Sequence, residues 1–342
     1  MSKHYVTLVF EDGRSERIHA DENDTIYMAC LRNKIRILTD CLEGACATCK
    51  AHCVEGDYDL DDISEEALSE DEAAEREVLT CQMHARSDCV IEFPYESRLA
   101  IKQGPKIWNC EVVTIEQVSS TVERLDIRIV TEDDDVLGFL PGQYVNLSVP
   151  GTNDYRSYSF ANSPHQTGVL SFFIKVLEHG VMSDYVRERA EPGDPITMKG
   201  PFGHFYLREP VRPIVMVAGG TGLAPMLSMF DQMVEIGATT QPINLLVGAN
   251  EPSELFSMDL FEYYKSRGLS LKTEIAVVNA NPGWSGYVGH VTDLLREDFI
   301  NSEVDIYLCG PPPMIEAAES WLSARGVNSR LIHSEKFLPS SA

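Results

Sequence analysis

Thiols crowd into one short loop of this chain. In the stretch Cys41-Leu-Glu-Gly-Ala-Cys-Ala-Thr-Cys49, three cysteines fall within nine residues, and a fourth stands at Cys81. Four, two and thirty-one residues separate Cys41, Cys46, Cys49 and Cys81. That is the C-x4-C-x2-C…C spacing of a plant-type [2Fe–2S] centre. A loop wrapped around an inorganic core must be slim, and Gly44, Ala45 and Ala47 make it so. Backbone N–H groups can then approach the sulfurs and help set the reduction potential. The competing chemistry is a Cys3His zinc site made of Cys46, Cys49, Cys81 and His84. It leaves Cys41 idle and gives no reason for the four-residue gap. A Rieske centre needs a Cys-x-His that the sequence lacks. Cys30, Cys53, Cys89, Cys110 and Cys309 read as small apolar residues.

A second set of residues suits a dinucleotide. Ala218-Gly-Gly-Thr-Gly-Leu-Ala-Pro225 lies between an apolar run and a helical pattern. It is not G-x-G-x-x-G, yet Gly219, Gly220 and Gly222, with Thr221 among them, open the backbone to a pyrophosphate. Pro225 suits a first helical position. After the next apolar run come Glu251 and Glu254, with no Lys or Arg until Lys265. Acids there can bond a ribose 2′-hydroxyl, whereas a 2′-phosphate wants a cation, so NADH is expected. A third set is Arg156-Ser-Tyr-Ser159, followed by Lys175 and by Gly180, Met182 and Ser183 at an expected helix N-terminus. Free N–H groups and the helix dipole there favour a phosphate.

The elements that must position these groups change rhythm twice along the chain. At 342 residues, roughly two or three domains are expected. HYVTLVF alternates and turns at Glu11–Gly13, TIYMACLRNKI has a helical period, and DCVIEFP suits a closing strand. The acidic stretch LDDISEEALSEDEAAEREVL between them predicts a solvated helix leading to Cys81. These make a small α+β domain over 1–98, with a linker over 99–106 around Gly104-Pro105. Short, closely spaced strands from 107 to 209 predict an antiparallel barrel. From 210 to 342, IVMVAGG, INLLVGA, TEIAVV and VDIYLCG alternate with helical stretches, which predicts a parallel α/β sheet.

Composition narrows the partners. The formal charge of −25 argues against nucleic acid and can steer a basic protein partner. No apolar run approaches the roughly 20 residues of a membrane span, and the charged start is unlike a signal peptide. Nine cysteines then suggest a reducing cytoplasm.

Several of these motifs together resemble a known family. Arg156-Ser-Tyr-Ser159, GGTGLAP, Cys309-Gly-Pro-Pro-Pro-Met314 and the near-terminal Glu335-Lys-Phe337 are similar to motifs of the ferredoxin–NADP reductase family. The resemblance implies an FAD site. Arg156 would meet a phosphate, Tyr158 and Phe337 would cover the two faces of the flavin, and Ser159 would sit near its reactive nitrogen. Gly180, Met182 and Ser183 would lie at the diphosphate, and Cys309 and Gly310 beside the nicotinamide. Lys175 stands where the family usually has Arg, so a bidentate contact becomes a point charge. With the cysteine loop in front, the order resembles the reductase component of benzoate-, toluate- and anthranilate-type ring-hydroxylating dioxygenases. The expected flow is NADH to FAD to [2Fe–2S] to a Rieske oxygenase, met transiently by a monomer. NADH yields a hydride, a Rieske centre takes single electrons, and a flavin links the two. Plant-type clusters lie near about −400 mV and Rieske centres at roughly −150 to +300 mV, so that order runs downhill. Ser159, Cys309 and Phe337 are the residues expected at the reacting atoms. A reductase serving a diiron phenol or methane monooxygenase is the nearest alternative. A zinc-stapled, NADH-sensing binding protein is the alternative of another class.

Overall fold

A computed structural model of the chain describes residues 3–12, 15–101, 106–130, 137, 139–163, 168–203, 205–208 and 210–338. The expected turn residue Gly13 and the Gly104-Pro105 linker lie outside the described residues. The chain forms two compact units, the first of residues 1–106 with 202–204 and the second of residues 107–201 with 205–342. Among the described residues, no helix is long and apolar enough to cross a membrane.

The first unit is built on a five-stranded mixed sheet. Its order is Ser15–Asp21, Lys3–Phe10, Cys89–Phe93, Lys50–Glu55 and Glu77–Leu79, with Lys3–Phe10 parallel to Cys89–Phe93. Alternation puts Val6, Leu8, Ile18, Ala20, Ile91 and Phe93 inside, where Ile26 and Cys30 of the helix Ile26–Arg32 are also buried. Thr25 caps that helix by accepting from the Met28 amide. The acidic segment differs from the long helix expected. Only Glu70–Ala74 is helical, closed by a capping box between Ser69 and Glu72. Upstream of it, Ala67 and Leu68 turn inward and pack with Cys49, Leu79 and Cys81. Burying two neighbouring apolar residues, and like charges three and four apart, both work against a continuous solvated helix.

The second unit begins with a six-stranded sheet ordered Tyr155–Ser159, Tyr144–Ser148, Pro195–Phe202, Lys106–Gln117, Val122–Ile129 and Val169–Lys175. Its registered pairs are antiparallel. The two end strands approach each other, and just past Ser159 the Ala161 amide donates to Ser171 O at 2.9 Å. Phe139, Val145, Leu147, Phe160, Phe172 and Ile174 fill the interior.

A parallel sheet follows, ordered Tyr287–Val288, Leu271–Val277, Ile243–Ala249, Ile214–Gly219, Asp305–Gly310 and Ile332–Lys336. Ile214–Gly219 and Asp305–Gly310 are buried along their whole length, as central parallel strands covered on both faces must be. The barrel and the parallel sheet share one core, where Val122, Ala161, Phe173 and Phe205 pack with Met226, Met229 and Phe230. The rings of Phe173 and Phe256 meet across it at 4.6 Å. That shared core makes a single unit of residues that differ in rhythm along the sequence.

Candidate functional site

The cysteine loop joins the helix Ile26–Arg32 to the strand Lys50–Glu55. Its path needs left-handed backbone at Leu42, Gly44 and Ala47, with φ of +62°, +74° and +57°. A side chain at Gly44 would put its Cβ 2.7 Å from Asp62 O, so only glycine fits there. The four candidate ligands meet in two pairs. Cys49 Sγ lies 3.2 Å from Cys81 Sγ, and Cys41 and Cys46 are hydrogen-bonded to each other. The bond from Cys46 holds the Cys41 thiol down at about 5, and the bond from Cys49 holds Cys81 at about 7.

Amide donors converge on the same sulfurs. Cys41 takes bonds from the amides of Glu43, Ala45 and Cys46, and Cys81 takes one from Gly44. Gln82 Nε2 points at Cys81 Sγ from 3.8 Å. Among the described residues, no three or more Cys, His, Asp or Glu converge as ligands of a single metal ion. Two thiol pairs ringed by amides fit a binuclear cluster, one pair to each iron. Among the described residues, Cys46, Cys49, Cys81 and His84 do not converge on one ion position either, so the zinc arrangement does not form.

In the second unit, the strand Tyr155–Ser159 carries the Arg-Ser-Tyr-Ser residues. Period two puts Arg156 and Tyr158 on one face and Ser159 on the other. Tyr158 is partly buried, and that burial pushes its phenol up. Lys175 ends the strand Val169–Lys175 with its side chain exposed. The helix Val181–Glu188 starts at Gly180, which offers no side-chain cap, so its first amides have no capping oxygen. Met182 and Ser183 are buried there. Met182 belongs to the barrel core, and Ser183 Oγ takes the Leu177 amide at 2.9 Å. At this turn the backbone amides, rather than these two side chains, are left to meet a phosphate.

The residues expected at a dinucleotide converge at the C-terminal ends of the parallel strands, where such sheets bind ligands. The three glycines there do different work, although the sequence suggests that all three open the backbone. A Cβ at Gly222 would stand 2.1 Å from Cys309 O, and one at Gly219 would stand 2.7 Å from Met314 Sδ. Gly310, at φ +150°, would touch Gly219 N at 3.0 Å. These glycines let GGTG and CGPPPM pack backbone to backbone. Gly220, at φ +55°, has nothing within 4 Å of its Cβ position. It faces a small hollow that Val247, Gly248, Glu254 and Phe256 also line. Thr221 beside it is buried. Pro225 is the third residue of the helix Leu223–Glu235, not the first as expected. It is still in the first turn, where the missing N–H costs nothing. Glu254 lines the hollow and accepts the Asn250 amide at 3.2 Å. Glu251 is exposed outside the residues that line it.

The two halves of this unit meet at a carboxyl group to which the sequence motifs assigned no role. Ser159 Oγ donates to Glu335 Oε2 at 3.2 Å. Glu335 pairs in register with Cys309, and the Phe337 amide donates to Gly310 O at 2.9 Å. Ser159, Cys309, Glu335 and Phe337 are thus gathered from segments up to 178 residues apart. Cys309 is fully buried, and its thiol is pushed well up by that burial and then by the Glu335 charge. Although Glu335 as a residue keeps some exposure, burial around the carboxyl pushes it up to about 8, against the opposing pull of the Ser159 bond.

Three domain families match the chain in order. The 2Fe-2S iron-sulfur cluster binding domain covers 9–86, the oxidoreductase FAD-binding domain 109–206 and the oxidoreductase NAD-binding domain 216–320. The anthranilate 1,2-dioxygenase electron transfer component of Acinetobacter baylyi is 38% identical over 99% of this chain and 98% of its own length. The chain belongs to the iron–sulfur flavoprotein reductases of oxygenase systems.

This reductase is also 33% identical to the phenol 2-monooxygenase reductase component DmpP of Pseudomonas sp. (strain CF600), over 94% of the chain and 92% of that protein. The crystal structure of the Amycolatopsis cytochrome P450 reductase GcoB aligns over 99% of this chain and 100% of its own, with a TM-score of 0.72 and 26% identity. The reductase is an oxidoreductase with a [2Fe–2S] domain, an FAD-binding domain and an NAD-binding domain, and an electron transfer component. The motif Glu335-Lys-Phe337 includes this carboxyl, but only Phe337 in it carried an expected role. The signal for Glu335 was its place two residues before Phe337, in the strand that pairs with Cys309.

Proposed function

We infer that this reductase draws electrons from NADH and delivers them singly to the Rieske oxygenase of a benzoate-type ring-hydroxylating dioxygenase. When bound, FAD takes up a hydride as an electron pair, and the [2Fe–2S] cluster passes electrons on one at a time. The residues of the chain bind, orient and hold a proton. Cys41 and Cys46 hold one iron, Cys49 and Cys81 the other. Arg156, Lys175 and the amides from Gly180 to Ser183 hold the FAD diphosphate. Tyr158 and Phe337 flank the flavin ring, as flat π-faces do. Gly220 and Thr221 meet the NADH pyrophosphate, with Gly219, Gly222, Pro225 and Gly310 shaping the loops. Glu254, rather than Glu251, takes a ribose hydroxyl. Ser159, Cys309 and Glu335 stand at the reacting atoms, where the Glu335 carboxyl keeps a proton at neutral pH and the bond from Ser159 Oγ to Oε2 orients the group.

The observation that carries this reading is full-length similarity to a dioxygenase electron transfer component, at 38% against 33% for the phenol hydroxylase relative. The clustered cysteines support a reducing cytoplasm, and the charge of −25 supports a monomer that meets its oxygenase transiently. The test is reconstitution. Purified reductase and NADH, given a benzoate-type Rieske oxygenase, should form diol product in proportion to NADH consumed. A diiron phenol hydroxylase should be served poorly. Efficient coupling to the diiron enzyme alone would overturn the assignment.

A further inference from the structure

Cys53 and Cys89 look in the sequence like small apolar filler, and the structure brings them together. Cys53 lies on Lys50–Glu55 opposite Ile91, and Cys89 is two residues from Ile91 on the neighbouring antiparallel strand. Both side chains therefore project from the same face. The register slips between Cys53 and Glu55, a bulge that tightens the local twist. The two thiols are hydrogen-bonded to each other. Gly56, at φ +104°, leaves room for the second sulfur, since a Cβ there would stand 2.6 Å from Cys89 Sγ.

The surroundings of the pair are unequal. Arg76 Nε donates to Cys53 O at 2.7 Å, and Arg76 Nη2 reaches Cys53 Sγ at 3.4 Å. Cys53 Sγ also faces one carbonyl, Glu55 O at 3.4 Å, whereas Cys89 Sγ faces two, Ser87 O and Asp57 O at 3.4 and 3.5 Å. The Cys53 thiol is drawn down to about 7, first by the bond from Cys89 and then by Arg76, while the Cys89 thiol is pushed up. A thiolate beside a cation, with a protonated thiol in contact, is the arrangement of a nucleophile and its resolving partner. Both side chains are buried beneath the exposed residues Glu55, Asp57 and Asp88. Their burial shuts out a bulky disulfide and leaves entry, by local opening, to an oxidant as small as hydrogen peroxide.

We propose that Cys53 and Cys89 are a peroxide-oxidised dithiol site, distinct from the cluster cysteines, that closes to an intramolecular disulfide. The Cys53 thiolate attacks one oxygen of hydrogen peroxide. The O–O bond breaks, and the departing hydroxide takes up a proton as water, leaving a sulfenic acid on Cys53. The Cys89 sulfur then displaces the hydroxyl group, which leaves with the Cys89 proton as a second water. Two thiols and one peroxide give one disulfide and two waters, so the sulfurs lose the two electrons that the peroxide gains. The disulfide ties the strand that directly follows Cys49 to its neighbour in the sheet.

The test uses the FAD- and cluster-loaded protein. It is treated with equimolar hydrogen peroxide, quenched, alkylated and cut with trypsin. Cleavage after Lys50, Arg76, Arg86 and Arg98 leaves Cys53 and Cys89 on separate peptides, 51–76 and 87–98, each with no other cysteine. These should appear joined and lighter by two hydrogens while the visible absorbance of the cluster persists, and oxidised glutathione should not join them. In Cys89→Ser, treated with peroxide while folded and then quenched into denaturant containing dimedone, Cys53 should be trapped as the sulfenic acid. Arg76→Gln should slow the joining several-fold at pH 7. Both cysteines still alkylated with the cluster intact, joining only after the cluster bleaches, or no dimedone adduct in Cys89→Ser would each overturn the proposal.

Discussion

Gly220→Ala and Gly222→Ala add the same methyl group two residues apart, and the geometry assigns them opposite consequences. At Gly222 the new carbon would stand 2.1 Å from Cys309 O and 2.6 Å from its carbonyl carbon. Unbonded carbon and oxygen sit at roughly 3.3 Å or more, so the helix start and the end of Asp305–Gly310 must part by about 1 Å. Both sides are backbone and no rotamer can relieve the contact. A forced shift of this kind in a packed core costs about 1–3 kcal/mol. For a unit of this size that lowers Tm by roughly 2–12 °C. At Gly220 there is nothing within 4 Å, and the cost is the left-handed backbone alone, about 1–2 kcal/mol. Its methyl would stand in the hollow that Glu254 lines, so the loss should fall on NADH affinity. The assay pairs thermal melts of the FAD-loaded protein with steady-state reduction of a two-electron dye. Gly222→Ala should show the larger fall in Tm, and Gly220→Ala the larger rise in the KM for NADH, about tenfold. Equal melts, or an unchanged KM in Gly220→Ala, would refute the division between packing and contact glycines.

The proton on Glu335 gives a signed pH dependence. The folded pKa, about 8, lies above the ordinary value of about 4.3. Between those values the folded state holds the extra proton, so stability falls as pH rises through that window and levels off above it. Melts of Glu335→Gln should be flatter than wild type from pH 5 to 8, and the flavin-reduction step measured by stopped flow should lose its inflection near pH 8. Glu254→Gln should raise the KM for NADH and narrow the preference over NADPH, whereas Glu251→Gln should leave both at the wild-type level. Cys46→Ser should abolish oxygenase-coupled turnover while dye reduction by the FAD-loaded variant survives. Loss of both activities in that variant would put the electron order in error.

What the sequence disclosed depended on how local each feature is. Ligand spacing is a property of one loop, so Cys41, Cys46 and Cys49 declared the cluster, with Cys81 completing the set. Buried parallel strands such as Ile214–Gly219 are apolar runs whatever surrounds them, and the change of rhythm near residue 210 was legible for that reason. Features made by tertiary contact were not. Ser159 meets Glu335 across 176 residues, and no periodicity records that bond. The motif GGTG does not say which glycine faces a ligand and which faces Cys309. The thiols of Cys53 and Cys89 come together through strand pairing and a bulge. The acidic segment misled because charge pattern alone cannot show that Ala67 and Leu68 must turn into the core.

The central claim is that electrons enter from NADH at the flavin and leave through the cluster of Cys41, Cys46, Cys49 and Cys81. An anaerobic titration of the purified protein with NADH, followed by visible absorbance and by EPR of the reduced sample, tests it most directly. Flavin bleaching together with the EPR signal of a reduced [2Fe–2S] cluster is the expected result. Bleaching with no cluster signal, or no response to NADH at all, would contradict it.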